Sequence, residues 1–312
     1  MDKKLVVSSS PHIRGNDTTQ KIMLDVLIAL CPALICMAIV FGTNALILCA
    51  VCVAASVFFE YAIRRILKKD NTIGDLSAAV TGLLLAFNLP VNFPIWMAIL
   101  GCFVAIVIVK QLFGGLGKNF ANPAIVGRIF LFVSFATPMT TWAIPQFTNG
   151  SVEYIAGATP LVLMAQGNME ALPTVGAMAM GIRGGCIGET ATAALLIGGI
   201  YLMIKKVITP TIPVAFLGTV IVMSLLLGVS PVYHILAGGV MLGAMFMATD
   251  YVTSPTTEKG KLIFGIGCGI ITMVIRVFGN YPEGVSFAIL LMNIVTPHIQ
   301  RLTRTKPIGG IK

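Results

Sequence analysis

Long apolar runs, separated only by short breaks of polar residues, glycine and proline, extend along this chain from about residue 22 to about residue 300. An α-helix of about 20 apolar residues is long enough to cross the hydrocarbon core of a bilayer. Hydrophobic residues make up 57% of the sequence and charged residues 11%, whereas a soluble domain has about 25% charged residues. The sequence therefore predicts an all-α integral membrane protein.

Ten segments are predicted to cross the membrane as helices. The third ends at Asn88-Leu89-Pro90 and the eighth at Thr249-Asp250, which predicts that both helices are interrupted. The ten segments are residues 22–42, 44–66, 74–90, 94–113, 122–139, 186–204, 211–228, 232–249, 262–278 and 284–300.

The basic residues predict the orientation of these spans. If the N-terminus lies in the cytoplasm, all of the 21 Lys and Arg residues except Arg183 and Arg276 fall on the cytoplasmic side. This is the distribution expected from the positive-inside rule, and it places both termini in the cytoplasm. The formal net charge of +9 is then explained by topology, and no nucleic-acid partner is predicted.

A long outward segment, residues 140–185, divides the predicted spans into two groups of five. Residues 80–86 resemble residues 241–247, and residues 110–114 resemble residues 276–279. Because five spans reverse the side from which the second group enters, this pattern predicts two inverted repeats. The predicted units are a cytoplasmic segment 1–21, a first repeat 22–139, the outward segment 140–185, a second repeat 186–300 and a cytoplasmic tail 301–312.

The outward segment contains the octet Glu153-Tyr154-Ile155-Ala156-Gly157-Ala158-Thr159-Pro160. Gly157 between two alanines leaves a stretch of backbone that a bulky group can approach closely. Thr159 presents a hydroxyl beside that stretch, and Pro160 restricts the conformation of the residue before it. Taken alone, such a stretch is typical of an ordinary turn.

The octet resembles the flavin-attachment signature of the D subunit of Rnf electron-transfer complexes and of the related B subunit of the sodium-translocating NADH:quinone reductase. In that family a flavin transferase esterifies the phosphate of FMN to a threonine hydroxyl outside the cytoplasm. The resemblance implies that Thr159 carries covalent FMN, with Glu153, Gly157 and Ala158 in the same site. Glu153 stands where the family usually has Asp, and Ala156 where Ser is common. Because Glu keeps the carboxylate, we expect the modification to persist.

Further resemblances follow in the same order over nearly the whole chain. They imply a multi-pass protein of the bacterial cytoplasmic membrane, assembled with the C, G, E, A and B subunits of an Rnf complex. That complex couples electron transfer between ferredoxin and NAD+ to the transport of Na+ or H+. This chain has neither a dinucleotide fingerprint nor an iron–sulfur cysteine run, so it is predicted to hold no complete active site. The matching segments are residues 10–13, 19–27, 114–124, 185–190, 248–255 and 279–284.

Charged residues near apolar spans are candidates for ion transport. A charge within the membrane costs about 2.5–3.5 kcal/mol on insertion scales and is expected to face a partner or a cavity. Asp25, Glu189 and Asp250 are therefore candidates for an ion pathway. Arg183, one of the two outward basic residues, is a candidate counter-charge for the flavin phosphate.

Asn119 and Asn122 precede the fifth predicted span, beside glycines. Irregular backbone at this depth is tolerated where it is buried or lines a cavity, and the resemblance implies a second, noncovalent riboflavin in this protein. Arg128 and Glu60 are expected to reach the cytoplasmic surface or to pair with a neighbouring helix. The three histidines lack the spacing of metal ligands, so no metal site is predicted.

Two other functions fit the same pattern. Inverted repeats with interrupted helices are a common plan for transporters, so a stand-alone transporter or channel without a redox cofactor is one alternative. The B subunit of the quinone reductase is the other, although that protein usually has an N-terminal extension longer than the twenty residues that precede the first span here. The coupling ion and the direction of electron flow stay open at this stage.

Overall fold

The computed structural model describes residues 18–148, 151–189, 191–279 and 283–304, with the backbone alone for residues 146–148 and 151–156. Most of the predicted terminal segments 1–21 and 301–312 lies outside these ranges. Within the described ranges the chain is predominantly helical, as the apolar runs predict.

The first half is built on one long helix, α1 (Thr19–Ile66), which covers the first two predicted spans. Gly42 interrupts this helix with φ +60° and ψ −154°, a conformation that only glycine adopts readily, so the two spans meet there. The other helices are α2 (Ser77–Phe87) after a 3₁₀ turn at Ile73–Asp75, α3 (Ile95–Phe103) continued by the π-helical stretch Val104–Gln111, α4 (Pro123–Ser134) and α5 (Ala136–Thr140).

The second half follows the predicted spans in the same way. Three of the described helices, α1, α12 (Glu258–Phe278) and α13 (Val285–Thr303), are long and apolar enough to cross a membrane. The count of ten spans, the inverted repeats and the side of each terminus stay predictions. The helices are α8 (Thr192–Ile204), α9 (Thr211–Leu226), α10 (Pro231–Leu236), α11 (Val240–Leu242) with the π-helical stretch Gly243–Met247, α12 (Glu258–Phe278) and α13 (Val285–Thr303).

The outward segment contains a β-hairpin, which departs from the all-α prediction. Strands β1 (Ala143–Thr148) and β2 (Ser151–Ala156) pair antiparallel, with Ala143 opposite Ala156. Asn149-Gly150 stands between them in the sequence, and this dipeptide is the strongest short signal for a hairpin. The segment continues with the short helices α6 (Pro160–Ala165) and α7 (Val175–Met180).

The broken ends of several helices meet in the middle of the molecule. The carbonyl groups of Phe87 and Leu89, at the end of α2, accept hydrogen bonds of 2.9 Å from the amides of Gly188 and Ile187. The Asn122 side chain donates to the carbonyl of Met247 at 3.3 Å. Backbone groups freed inside an apolar region need such partners, and the breaks predicted in the third and eighth spans find them in residues 187–188 and in Asn122.

Close packing of small residues joins α1 to α8. A Cβ atom added to Gly198 would lie 2.0 Å from the carbonyl oxygen of Ala29. Glycine at this contact lets the two helix backbones approach closely, which is how helices in membranes gain van der Waals contact.

Candidate functional site

Thr159 lies where the hairpin ends and α6 begins. The amide of Gly157 donates to the carbonyl of Trp142 at 3.2 Å, which extends the pairing of the hairpin by one residue. Thr159 is the N-cap of α6, and its hydroxyl oxygen accepts a hydrogen bond from the amide of Val162 at 3.3 Å. Thr159 is 4% exposed, so its hydroxyl is held inside the protein.

The backbone beside Thr159 is packed closely against β1. A Cβ atom on Gly157 would lie 2.3 Å from Cδ1 of Ile144, so any larger residue here would displace the end of the Ile144 side chain. A Cβ atom on Gly184 would lie 3.8 Å from the carbonyl oxygen of Ala158. Gly157 is thus packed against the hairpin, and the carbonyl group of Ala158 lies near Gly184 in the connection between α7 and α8. The side chain of Glu153 lies outside the described residues, so its predicted place in the site stays a prediction.

Arg183 is buried, although the sequence predicts it on the outward side as a counter-charge for the flavin phosphate. Only 2% of the residue is exposed, and its guanidinium donates to the carbonyl oxygen of Glu189 at 2.8 Å. Glu189 is equally buried, and its carboxylate accepts from the amide of Cys186 at 3.0 Å. The two residues thus hold the connection between α7 and α8 in one conformation.

Arg128 joins this region to the centre of the fold. Its guanidinium forms an ion pair with Glu283 and donates to Asn88 at 3.0 Å and Ser286 at 2.8 Å. The expected pairing between elements is therefore present, while a route to the cytoplasmic surface is not, because Arg128 is 5% exposed.

Cys186, Glu189 and Glu283 present ligand atoms within 4.8 Å of one another. Such a set can hold a metal ion by distance alone. The guanidinium of Arg128, however, already contacts two of its members, donating to the Cys186 sulfur at 3.4 Å and pairing with Glu283. A cationic side chain thus stands where a metal ion would bind, and the chemistry of the set does not favour a metal centre.

Asn119, Asn122 and Asp250 line one cavity, together with apolar residues of α1, α2 and α8. The Asn119 side-chain oxygen is buried and has no hydrogen-bond partner among the described residues. Asn122 is instead the N-cap of α4, accepting from the amides of Ala124 and Ile125. Asn119 is thus the one of the two asparagines that keeps an acceptor free for a ligand.

Lys110 also lines this cavity and is 1% exposed. Its ammonium group donates to Glu60 at 2.7 Å and to Ser77 at 2.6 Å. Glu60 accepts two more hydrogen bonds, from Gln111 at 2.9 Å and Thr72 at 2.7 Å. The expected pairing of Glu60 with a neighbouring helix is therefore present, and it positions one buried cation at the cavity wall.

The three candidates for an ion pathway lie in separate places. Asp25 accepts a hydrogen bond of 2.9 Å from the hydroxyl of Tyr201, which connects α1 to α8. Asp250 accepts from Thr253 at 3.0 Å and faces the cavity of Asn119. Glu189 lies with Arg183 in the connection between α7 and α8.

Two residues of this region, Arg276 and Glu283, are not predicted as site residues from the sequence. Arg276 is predicted only to lie on the outward side, yet its guanidinium is buried and donates to the carbonyl groups of His234 at 2.6 Å and Ala237 at 2.9 Å. Both residues flank the break between the ninth and tenth predicted spans. A charge next to such a break is the one signal that could have selected them.

Comparison with known proteins gives consistent results. The model of the NQR2, RnfD, RnfE family matches residues 6–309. The D subunit of the Na(+)-translocating ferredoxin:NAD(+) oxidoreductase complex of Acetobacterium woodii is 50% identical over 310 residues, covering 99% of this chain and 96% of that protein. The D subunit of the proton-translocating complex of Clostridium ljungdahlii is 44% identical over 318 residues, covering 97% and 96%. The D subunit of an ion-translocating oxidoreductase complex of Ectopseudomonas mendocina is 37% identical over 328 residues, covering 97% and 96%.

Proposed function

Because the chain belongs to the NQR2, RnfD, RnfE family, we propose that it is the D subunit of an ion-translocating ferredoxin:NAD+ oxidoreductase complex. The relatives that support this role are named as that component, which favours it over the B subunit of a quinone reductase. The chain works in the bacterial cytoplasmic membrane with the C, G, E, A and B subunits. Electron flow through this complex drives the transport of Na+ or H+.

Covalent FMN on Thr159 is the cofactor that we propose for the outward side. A flavin supplies one-electron transfer, and the protein supplies its position and electrostatic surroundings. The single observation that supports attachment is the geometry of Thr159. In the hydrogen bond that caps α6, its hydroxyl oxygen accepts from the amide of Val162, so this bond does not use the hydroxyl proton. An ester oxygen keeps a lone pair, so esterification by the flavin transferase preserves this cap.

A denaturing gel under ultraviolet light tests the attachment. The chain, expressed with the flavin transferase, is expected to give a fluorescent band that Thr159→Ala removes and Thr159→Ser retains. Thr174→Ala is the matched control, because Thr174 caps α7 by accepting from the amide of Ala177 at the same 3.3 Å. This control variant loses a helix cap but keeps the attachment site, so its fluorescent band should persist. A wild-type chain without fluorescence would instead favour the stand-alone transporter.

We also propose that the cavity lined by Asn119 and Asp250 holds the noncovalent riboflavin. The cavity has the apolar walls and few polar groups of a small-molecule site, and its volume of about 80 Å³ means that it has to widen around a flavin ring. The free acceptor of Asn119 and the buried ammonium of Lys110 are the groups that suit the polar edge of a flavin ring.

Acid denaturation of the purified complex separates the two flavins, because only the noncovalent one is released. Asn119→Ala is expected to lower the released flavin severalfold and to leave the fluorescent gel band unchanged. Asn168→Ala, at an exposed asparagine of the outward segment, is the control. Equal release from both variants would show that the cavity is not the binding site.

A further inference from the structure

Five buried polar atoms in one region have no hydrogen-bond partner among the described residues. Two of them are donors and two are acceptors, while the fifth, a ring nitrogen, can serve as either. Buried polar groups are nearly always hydrogen-bonded, so the two unpaired arginine donors indicate a missing acceptor. The atoms are Nε of Arg183, Nε of Arg276, Oε2 of Glu189, Oε1 of Glu283 and Nδ1 of His234.

The charges of this region do not balance. The arginine cluster, defined here as Arg128, Arg183, Arg276, Glu189 and Glu283, has three guanidinium groups against two carboxyl groups. With both carboxyl groups ionised the cluster carries one excess positive charge. An isolated buried charge is unfavourable, so the cluster is expected to bind an anion.

The arginine cluster lies beside the octet on both sides of Thr159. Gly184, next to Arg183, approaches the carbonyl oxygen of Ala158. On the other side, Gly238 lies between Leu161 and Arg276, because a Cβ atom there would be 2.8 Å from Leu161 and 2.7 Å from the Arg276 guanidinium. The residues before and after Thr159 thus contact the segments that hold the two unpaired arginine donors.

We propose that Arg183 and Arg276 form the binding site for the phosphodiester group that links the flavin to Thr159. This inference rests on the proposed function, because it takes the esterified phosphate as the ligand. A phosphodiester carries one negative charge, which equals the excess of the cluster, and its oxygens accept from arginine N–H groups. Glu283 and Glu189 are positioning residues, since one pairs with Arg128 and the backbone carbonyl of the other holds Arg183.

Redox titration of the purified complex tests the arginines in variants that keep the fluorescent band. Arg276→Gln and Arg183→Gln each remove a positive charge near the flavin, so its one-electron reduction should become about tenfold less favourable, a fall of about 59 mV. Arg276→Lys keeps the charge and should restore most of the potential, which a purely structural effect would not do. Arg301→Gln, at an exposed arginine of α13, is the matched control.

A second measurement needs no substitution, so it tests the proposal even if the glutamine variants fail to assemble. Hydrogen exchange of the wild-type chain within the complex is compared after expression with and without the flavin transferase. Flavin attachment should increase protection in residues 183–189 and 237–239. Unchanged exchange there, or an unchanged potential in Arg276→Gln and Arg183→Gln, would overturn the proposal. A wild-type chain without a fluorescent band would instead refute the flavin attachment itself.

Discussion

Removing one member of the ion pair between Glu60 and Lys110 should destabilise the fold far more than removing both. The Lys110 nitrogen lies 2.7 Å from a Glu60 oxygen, and each side chain is 1% exposed. A buried charge that loses its partner costs about 3–5 kcal/mol, whereas replacing the whole pair by groups of similar volume is often close to neutral. The design is therefore a double-mutant cycle of Lys110→Met and Glu60→Gln.

The structure indicates which of the two single substitutions lowers the free energy of unfolding more. After Lys110→Met, the Glu60 carboxylate still accepts from Gln111 and Thr72, so we expect a loss of about 3 kcal/mol. After Glu60→Gln, the Lys110 ammonium keeps only neutral acceptors, Ser77 and the amide oxygen of the new side chain, and without a countercharge we expect a loss of about 4–5 kcal/mol. The coupling energy of the cycle should then be at least about 3 kcal/mol.

The assay is reversible unfolding of the chain in detergent micelles, followed by circular dichroism. Glu258 and Lys261 form the matched control pair, because their charged atoms are 2.8 Å apart while Glu258 is 64% exposed. Exposed pairs contribute about 0–1 kcal/mol, so the control cycle should give a coupling below about 1 kcal/mol. Similar coupling energies in the two cycles would refute the argument that burial makes the difference.

Two further predictions concern glycines. Gly198→Ala should destabilise the chain by about 1–2 kcal/mol in the same unfolding assay, because the carbonyl of Ala29 cannot rotate away and this overpacking exceeds the gain of up to about 1 kcal/mol in helix propensity. Gly218→Ala, in α9 with no atom within 4 Å of the added Cβ, should be neutral or slightly stabilising, and an equal effect of both changes would contradict the packing argument. Gly157→Val should lower the covalent flavin per chain severalfold in the fluorescent gel, since its side chain would displace Ile144, and wild-type labelling would count against a close approach at this site.

The helices could be predicted from the sequence, because apolar runs and their breaks are local features. Gly42, the end of α2 near Asn88 and the start of α4 at Asn122 all fall where glycine, proline or asparagine interrupts a run. The hairpin does not follow from the apolar runs, because residues 140–185 lie between the predicted spans. Its Asn149-Gly150 dipeptide was the available signal.

The partners of the buried charges could not be predicted. Arg128 and Glu283 are 155 positions apart, and only the folded arrangement of α4 against the segment before α13 brings them together. The partner of Lys110 could not be predicted either. Its position at the end of a predicted span suggested a lysine in water, yet the π-helical stretch Val104–Gln111 turns it and Gln111 towards Glu60.

The near-complete burial of Thr159 has a consequence for the order of events during biogenesis. An enzyme that esterifies this hydroxyl has to reach it, and a residue with 4% exposure offers no such access. We therefore expect modification to come first, before the surrounding segments close over this hydroxyl. A chain that folds before it meets its maturation enzyme would then remain unmodified for as long as it stays folded.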